Sequence, residues 1–348
     1  MENYFDKMNR IYKRLMDDES KFLFGARIDY IFNRDEWDYQ NKMLRLNKKF
    51  SVVGDKIISD PSHKGIILFG CGRDGLAAKK FLEYNDRKVD LFCDNSTDKI
   101  GCEVDNVKVI SVEEVVQHYR DYLVIISSRW YSQEMVQQLR EMNFPEEHIY
   151  IPGPPIPYLH GGTGNQYFDV FEKNENEIFV DGGGYNGLTA RSFVNWAGGE
   201  YKKIYIFEPL AEMRGEIEKN LQGIDNVLYF DKGLWNCEEE LRFVEDKTSS
   251  TIYNGGGTVI KTISLDSAVL PEDKITFIKL DIEGAELQAL QGSANIIRRD
   301  RPKMAISIYH KPMDVIDLAD YILSLVPDYQ FYIRHYTSTI YETILYAV

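Results

Sequence analysis

An acid and four glycines fall within seven residues, Asp181-Gly-Gly-Gly-Tyr-Asn-Gly187, directly after the apolar run Glu177-Ile-Phe-Val180. Read as a strand, a glycine turn and a helix opening near Leu188, this unit turns backbone N–H groups and a helix N-terminus toward a ligand. Asp181 at the strand end would repel a phosphate; it suits an amino group or ribose hydroxyls. S-adenosylmethionine meets that description, and so does an adenosine ribose in general. Gly182, Gly183, Tyr185 and Gly187 are the turn residues expected to meet the cofactor. A second acid, Glu208, ends the next apolar run, Lys203-Ile-Tyr-Ile-Phe207. A carboxylate at that strand tip accepts both ribose hydroxyls of an adenosine. Asp231 and Lys232 close the third run, Asn226-Val-Leu-Tyr-Phe230, and by topology border the adenine.

Elements must hold these residues in place. Residues 1–60 form a helical N-terminal segment, with Tyr4, Phe5, Met8, Ile11, Tyr12, Leu15 and Met16 at helical spacing. It is expected to cap a neighbour or to make a homodimer contact. Residues 61–152 read as a Rossmann-like module of alternating strands and helices, hence a parallel sheet. Its first strand runs into Gly70-Cys-Gly-Arg-Asp-Gly75, a G-x-G-x-x-G turn opening a helix over 76–84. Asp94 lies 19 residues after Gly75, where dinucleotide folds place a ribose-binding acid. This module resembles small nucleotide-binding-like modules of bacterial glycan-biosynthesis proteins. Residues 152–166 are a proline- and glycine-rich linker, and 153–348 form the second domain. There the pattern predicts a helix over 166–173, a loop or lid over 246–257 and a helix over 285–297. The last two strands, 329–335 and 342–348, are joined by a short turn and so pair antiparallel. The fold class is therefore α/β: two doubly wound Rossmann-like domains, the C-terminal one closed by an antiparallel hairpin, plus N-terminal helices.

Composition narrows the function. A net charge of −14 over 348 residues disfavours a nucleic-acid backbone or an anionic membrane as partner. The cysteines at 71, 93, 102 and 237 form no C-x-x-C pair, and we read them as reduced thiols of a cytoplasmic protein. No run approaches the ~18 apolar residues of a membrane helix.

A parallel α/β sheet closed by a terminal antiparallel hairpin is the architecture of class I S-adenosylmethionine-dependent methyltransferases. The segments VDGGGYNG, IYIFEP, FIKLDIEGAELQALQGS and AISIYHKP resemble the FkbM family of these enzymes over residues 166–348. The turn departs from the family's more usual Asp-x-Gly-Ala-Asn-x-Gly at Gly184 and Tyr185. The resemblance implies S-adenosyl-L-methionine as cofactor and O-methyl transfer to a hydroxyl of a sugar, glycan or nucleotide-sugar acceptor. Such a displacement needs oxygen, methyl and sulfur in line and a base for the hydroxyl proton, at the carboxyl ends of the strands. His310 and Asp281 are the catalytic candidates. The imidazole of His310 suits a base, and a histidine held by the backbone is the rival reading. Asp281 would alternatively hold the methionine amino group. With Glu283 and His310 it would also suit a divalent metal, although no metal is assigned. Glu286, one turn beyond Glu283, reads as a capping acid. Arg334 and His335 stand where they could meet an acidic acceptor. Two other readings rest on the first module: an NAD-dependent oxidoreductase using Asp94, and a non-catalytic nucleotide-sugar-binding protein.

Overall fold

The computed structural model describes residues 3–46, 63–128, 131–151, 166–246, 249–252, 258–337 and 339–348. The linker at 152–165 lies outside them. Internal contacts divide the chain into two compact units. One comprises Met1–Arg34, Gly161–Tyr336 and Ile340–Val348, and the other Asp35–His160 and Thr337–Thr339. The N-terminal helices are thus shared out: Tyr4–Tyr12 and Asp18–Asn33 belong to the first unit, and Glu36–Leu46 to the second.

The second unit contains β1 (Ile66–Phe69), β2 (Leu91–Cys93), β3 (Glu103–Val104), β4 (Val107–Ile110), β5 (Leu123–Ile126) and β6 (Ile149–Tyr150), in sheet order β3-β4-β2-β1-β5-β6. Only the β3–β4 pair is antiparallel. Alternate side chains of β1 leave on opposite faces. Ile66 and Leu68 join a core with Phe81 and Phe92, while Ile67 and Phe69 join another with Val115 and Leu139. Burial on both faces is why Ile-Ile-Leu-Phe reads as an unbroken apolar run.

The other unit holds β7 (Glu177–Gly182), β8 (Tyr201–Phe207), β9 (Val227–Phe230), β10 (Gly233–Leu234), β11 (Glu240–Asp246), β12 (Ser249–Ile252), β13 (Thr258–Ile263), β14 (Phe277–Leu280), β15 (Lys303–Ser307), β16 (Phe331–His335) and β17 (Thr343–Ala347). Seven of these form one sheet, β16-β17-β15-β14-β7-β8-β9. The five central and distal strands are parallel, and β17 runs antiparallel to both β15 and β16. The expected closing hairpin is therefore present, with β17 inserted between β15 and β16. Strand order reverses between β7 and β14, the switch point at which open α/β sheets bind ligands. A smaller sheet, β10-β13-β11-β12, stands apart from it.

The N-terminal segment packs on this unit. Met16 N donates to Phe331 O at 2.9 Å and Phe331 N to Arg14 O at 2.8 Å, so the chain after the first helix runs beside β16. Asp17 caps the helix Asp18–Asn33 by accepting from Ser20 N.

Three expectations change. Residues 166–170 are turns and 171–173 irregular, not a helix, because Tyr167, Phe168 and Phe171 are all drawn into the aromatic core and Tyr167 adopts φ +76°. Within 246–257, Ser249–Ile252 pairs as β12 with β11, and 247–248 and 253–257 fall outside the described residues. The helix expected over 285–297 is two, Glu286–Gln291 and Ala294–Asp300. The break falls at Gly292, where an added Cβ would sit 2.0 Å from the Trp235 carbonyl oxygen.

Candidate active site

The glycine turn is braced from beneath. Asp181 and Lys279 are paired residues of β7 and β14, both inside the sheet. Their charges meet at 3.0 Å, with side chains 0% and 2% exposed. Lys279 Nζ also donates to the carbonyls of Gly182 at 3.1 Å and Gly183 at 2.7 Å. Burial raises the Asp181 carboxyl, and Lys279 opposes that shift. Asp181 is therefore sealed below the turn and does not line the cavity above it. Gly183 has φ +76°, and a Cβ there would lie 1.9 Å from the Asp281 carbonyl oxygen, so glycine alone fits the crossing of turn and strand.

Above the turn lies a cavity of about 460 Å³. Its floor is Gly183, Gly184, Tyr185 and Asn186, and its polar walls are Glu208, Lys279, Asp281 and Glu283. Phe207, Leu234, Trp235, Leu241 and Ile260 make an apolar end. Glu208 accepts from Tyr185 N and from Leu210 N, each at 2.9 Å. Those two bonds fix the carboxylate while leaving one lone pair on each oxygen. Burial raises its carboxyl above the usual range. Tyr185 lines the cavity but stays 60% exposed at φ +43°. Gly182 and Gly187 shape the turn from outside the lining, as do Asp231 and Lys232 on the far side, where Gly233, Leu234 and Trp235 line it instead. Lys232 pairs with Glu238 at 3.6 Å.

At one edge of the cavity stands a cluster of acids around an imidazole. Asp281 Oδ2 accepts from Tyr167 OH at 2.8 Å, and Oδ1 from Tyr309 OH at 3.0 Å. Burial opposes its charge, but Lys279, His310 and Tyr167 outweigh burial and hold the carboxyl below its ordinary value. Glu283 follows at φ +55° and is half-exposed; burial raises it, against the pull of His310. His310 is 10% exposed: Nε2 lies 3.4 Å from Glu283 Oε2 and 3.6 Å from Asp281 Oδ1, and Nδ1 lies 2.9 Å from Glu286 Oε1, an ion-pair contact off the ring N–H direction. Burial alone would lower His310, but Glu286, Asp281 and Glu283 together raise it to about 9. In this charge state the imidazole is a cation near neutral pH, not the neutral base expected from the sequence. Glu286, 1% exposed, accepts from Ile282 N and Gly284 N, which is the capping role expected of it.

Other candidates are engaged elsewhere. Arg334 binds Asp17 at 2.6 Å and Ser20 at 3.1 Å, and His335 Nδ1 meets Thr343 Oγ1 at 2.7 Å. In the second unit, a cavity of about 510 Å³ is lined by Gly70, Gly72, Asp94 and Lys99 among others. Asp94, which follows β2, accepts there from Cys71 N, Cys71 Sγ and Ser96 N at 2.9–3.0 Å and so braces the neighbouring glycine turn while lining the cavity. Lys279, Tyr167 and Tyr309 carry no signature in the sequence analysis. A lysine inside the run Ile-Thr-Phe-Ile-Lys-Leu280 is the one signal that would have found the first, since a buried cation demands a partner.

Comparison with known proteins bears on the whole chain. The methyltransferase FkbM domain family matches residues 181–332, and the C2185-like N-terminal family matches residues 62–150. No curated protein matches the chain. Among solved structures, a methyltransferase FkbM from Methylobacillus flagellatus KT is 18% identical at a TM-score of 0.51, covering 94% of this chain and 98% of its own. An rRNA methylase from Streptococcus thermophilus is 19% identical at a TM-score of 0.34, covering 50% and 86%. Aeropyrum pernix fibrillarin, with natively bound S-adenosyl-L-methionine, is 13% identical at 0.32, covering 51% and 67%. With the four sequence segments, the parallel sheet closed by its hairpin and the match over the site-bearing residues, residues 181–332 belong to the FkbM methyltransferase domain family.

Proposed function

We propose that the chain transfers a methyl group from S-adenosyl-L-methionine to a hydroxyl of a sugar, glycan or nucleotide-sugar acceptor. The observation that carries the reading is Glu208. It is fixed by two backbone bonds, faces the cavity and keeps two lone pairs for a pair of ribose hydroxyls. Gly183 and Tyr185 pass beneath the cofactor, and the apolar end at Leu234, Trp235 and Ile260 takes the adenine. Asp181 acts from below through Lys279, and Gly182 and Gly187 hold the turn's shape. The methionine end points toward Asp281, the edge at which Glu283 and His310 also meet. We place the acceptor hydroxyl there, with Asp281 and His310 as the catalytic pair. The oxygen–carbon bond forms as the carbon–sulfur bond breaks, a carboxylate of the cluster takes the hydroxyl proton, and S-adenosylhomocysteine leaves. Protonated His310 orients those carboxylates.

Calorimetric titration with S-adenosylhomocysteine tests the first half of this reading. Glu208→Ala should weaken binding by about 1.5–3 kcal/mol, the worth of hydrogen bonds to a charged group. Absence of heat with the wild-type chain would sink the reading. Transfer of isotope-labelled methyl across a panel of sugars and nucleotide sugars, read by mass spectrometry, tests the acceptor class.

A further inference from the structure

We propose that the acid cluster beside the cavity holds a divalent transition-metal cation, with Asp281, Glu283 and His310 as ligands and Glu286 supporting the imidazole. Donor atoms of Asp281, Glu286 and His310 lie within 4.8 Å of one another, and Glu283 Oε2 lies 3.4 Å from the same imidazole. His310 Nε2 makes no hydrogen bond although its side chain is 10% exposed, and it faces the Asp281 and Glu283 oxygens at 3.6 and 3.4 Å. Those gaps are too long for hydrogen bonds, which run about 2.7–3.2 Å. They suit two ligands of one ion: at metal–ligand distances near 2.1 Å, neighbouring donors stand roughly 3.0–3.5 Å apart. The opposite ring nitrogen faces a carboxylate, Glu286 Oε1 at 2.9 Å. A ligating histidine commonly donates its other ring N–H to a carboxylate, and a small rotation of either side chain would align this pair, in which Nδ1 makes no hydrogen bond here. Asp281 is held by two tyrosine hydroxyls, which orient it without using all its lone pairs. Charge favours the same ligand. Asp281, Glu283, Glu286, Asp314 and Glu342 all act on this neighbourhood, against Lys279, His310 and Lys311. One imidazole among carboxylates selects manganese, iron or zinc over magnesium or calcium. Asp281 and Glu283 both line the cavity, which gives the ion a route in.

The site adjoins the cavity assigned to the methyl donor but does not rest on that assignment, since the test uses metal alone; binding the ion would displace the proton from His310 Nε2, so the imidazolium orients the carboxylates only in the ion-free chain. Mn²⁺ titrated into the full wild-type chain, followed by electron paramagnetic resonance, should show one bound ion per chain. Pulsed measurements should show coupling to one imidazole nitrogen. His310→Ala should abolish that coupling and weaken binding more than about tenfold, and Glu286→Gln should weaken it about tenfold. No bound Mn²⁺, or bound Mn²⁺ without nitrogen coupling in the wild type, overturns the proposal whether or not the variants fold. Because the readout is metal binding, failure of methyl transfer leaves it untouched.

Discussion

A single lysine does more for this site than any glycine of the turn above it. Lys279 neutralises Asp181 and holds the carbonyls of Gly182 and Gly183, so the turn's backbone is pinned from inside the sheet. Removing it leaves a carboxylate with no exposure and no counter-charge. We expect Lys279→Ala to destabilise the fold by about 3–5 kcal/mol, measured by urea denaturation. A loss under about 1 kcal/mol would mean that the pair contributes little. Asp181→Asn together with Lys279→Met removes both charges and should recover much of the loss, as replacing buried pairs often does. This residue also marks how far sequence reading reached. Glu208, Gly183, Tyr185, Asp281 and Glu283 could be picked out because strand ends and glycine turns are local patterns, and all five line the cavity. The tyrosines on Asp281 could not, since Tyr167 and Tyr309 come from opposite ends of the domain and meet it only through the fold. The charge of His310 was hidden for the same reason, because Glu286 approaches from a separate helix.

Elements were legible where periodicity decided them and obscure where packing did. The central strands β1, β5, β7, β8 and β14 announced themselves as apolar runs, whereas the short strands β3, β4, β6 and β10 did not. The split of the helix at Gly292 did not, and the glycine there answers to the Trp235 carbonyl, far away in sequence, which leaves no room for a Cβ. Nor did the docking of the helix Asp18–Asn33 on β16, which rests on Asp17, Ser20 and Arg334. Asp17 yields a pH prediction. Burial alone would raise its carboxyl, but the Arg334 pair and two Ser20 bonds outweigh burial and hold it at about 2, against 3.8 for the free group. A depressed carboxyl contributes stability above its unfolded value. That contribution is lost as pH falls from about 4 toward 2. The side chain is 35% exposed, so solvent screening cuts the effect to about 1 kcal/mol. Asp17→Asn should lower the melting temperature at pH 7 and narrow the gap to wild type near pH 2. A gap that persists unchanged at low pH would remove this ion pair from the acid response.

At the scale of the molecule, we propose on charge that the acceptor is not a nucleic acid. The chain's 41 basic residues are outnumbered by 55 acidic ones, a net charge of −14 that opposes counterion release from a phosphate backbone. Labelled RNA should show no change in anisotropy at low salt over the roughly 10⁻⁶–10⁻⁴ M range in which non-specific binding is seen. Salt-dependent binding would reopen the nucleic-acid reading. Among the described residues no helix is long and apolar enough to cross a membrane.

The pairing of Arg14 and Met16 with Phe331 has one more consequence, for solution behaviour. β16 is the last strand of its sheet, so its outward backbone groups would template any extended chain that met them. The molecule covers that row with its own polypeptide, at Phe331 through the Arg14–Met16 backbone and at Ile333 through Ser20 Oγ. A chain lacking residues 1–16 would bare the first of these points. It should bind S-adenosylhomocysteine as the full chain does, yet self-associate, with light scattering rising with concentration. A truncated chain that stays monodisperse would show that the short N-terminal cover guards against nothing.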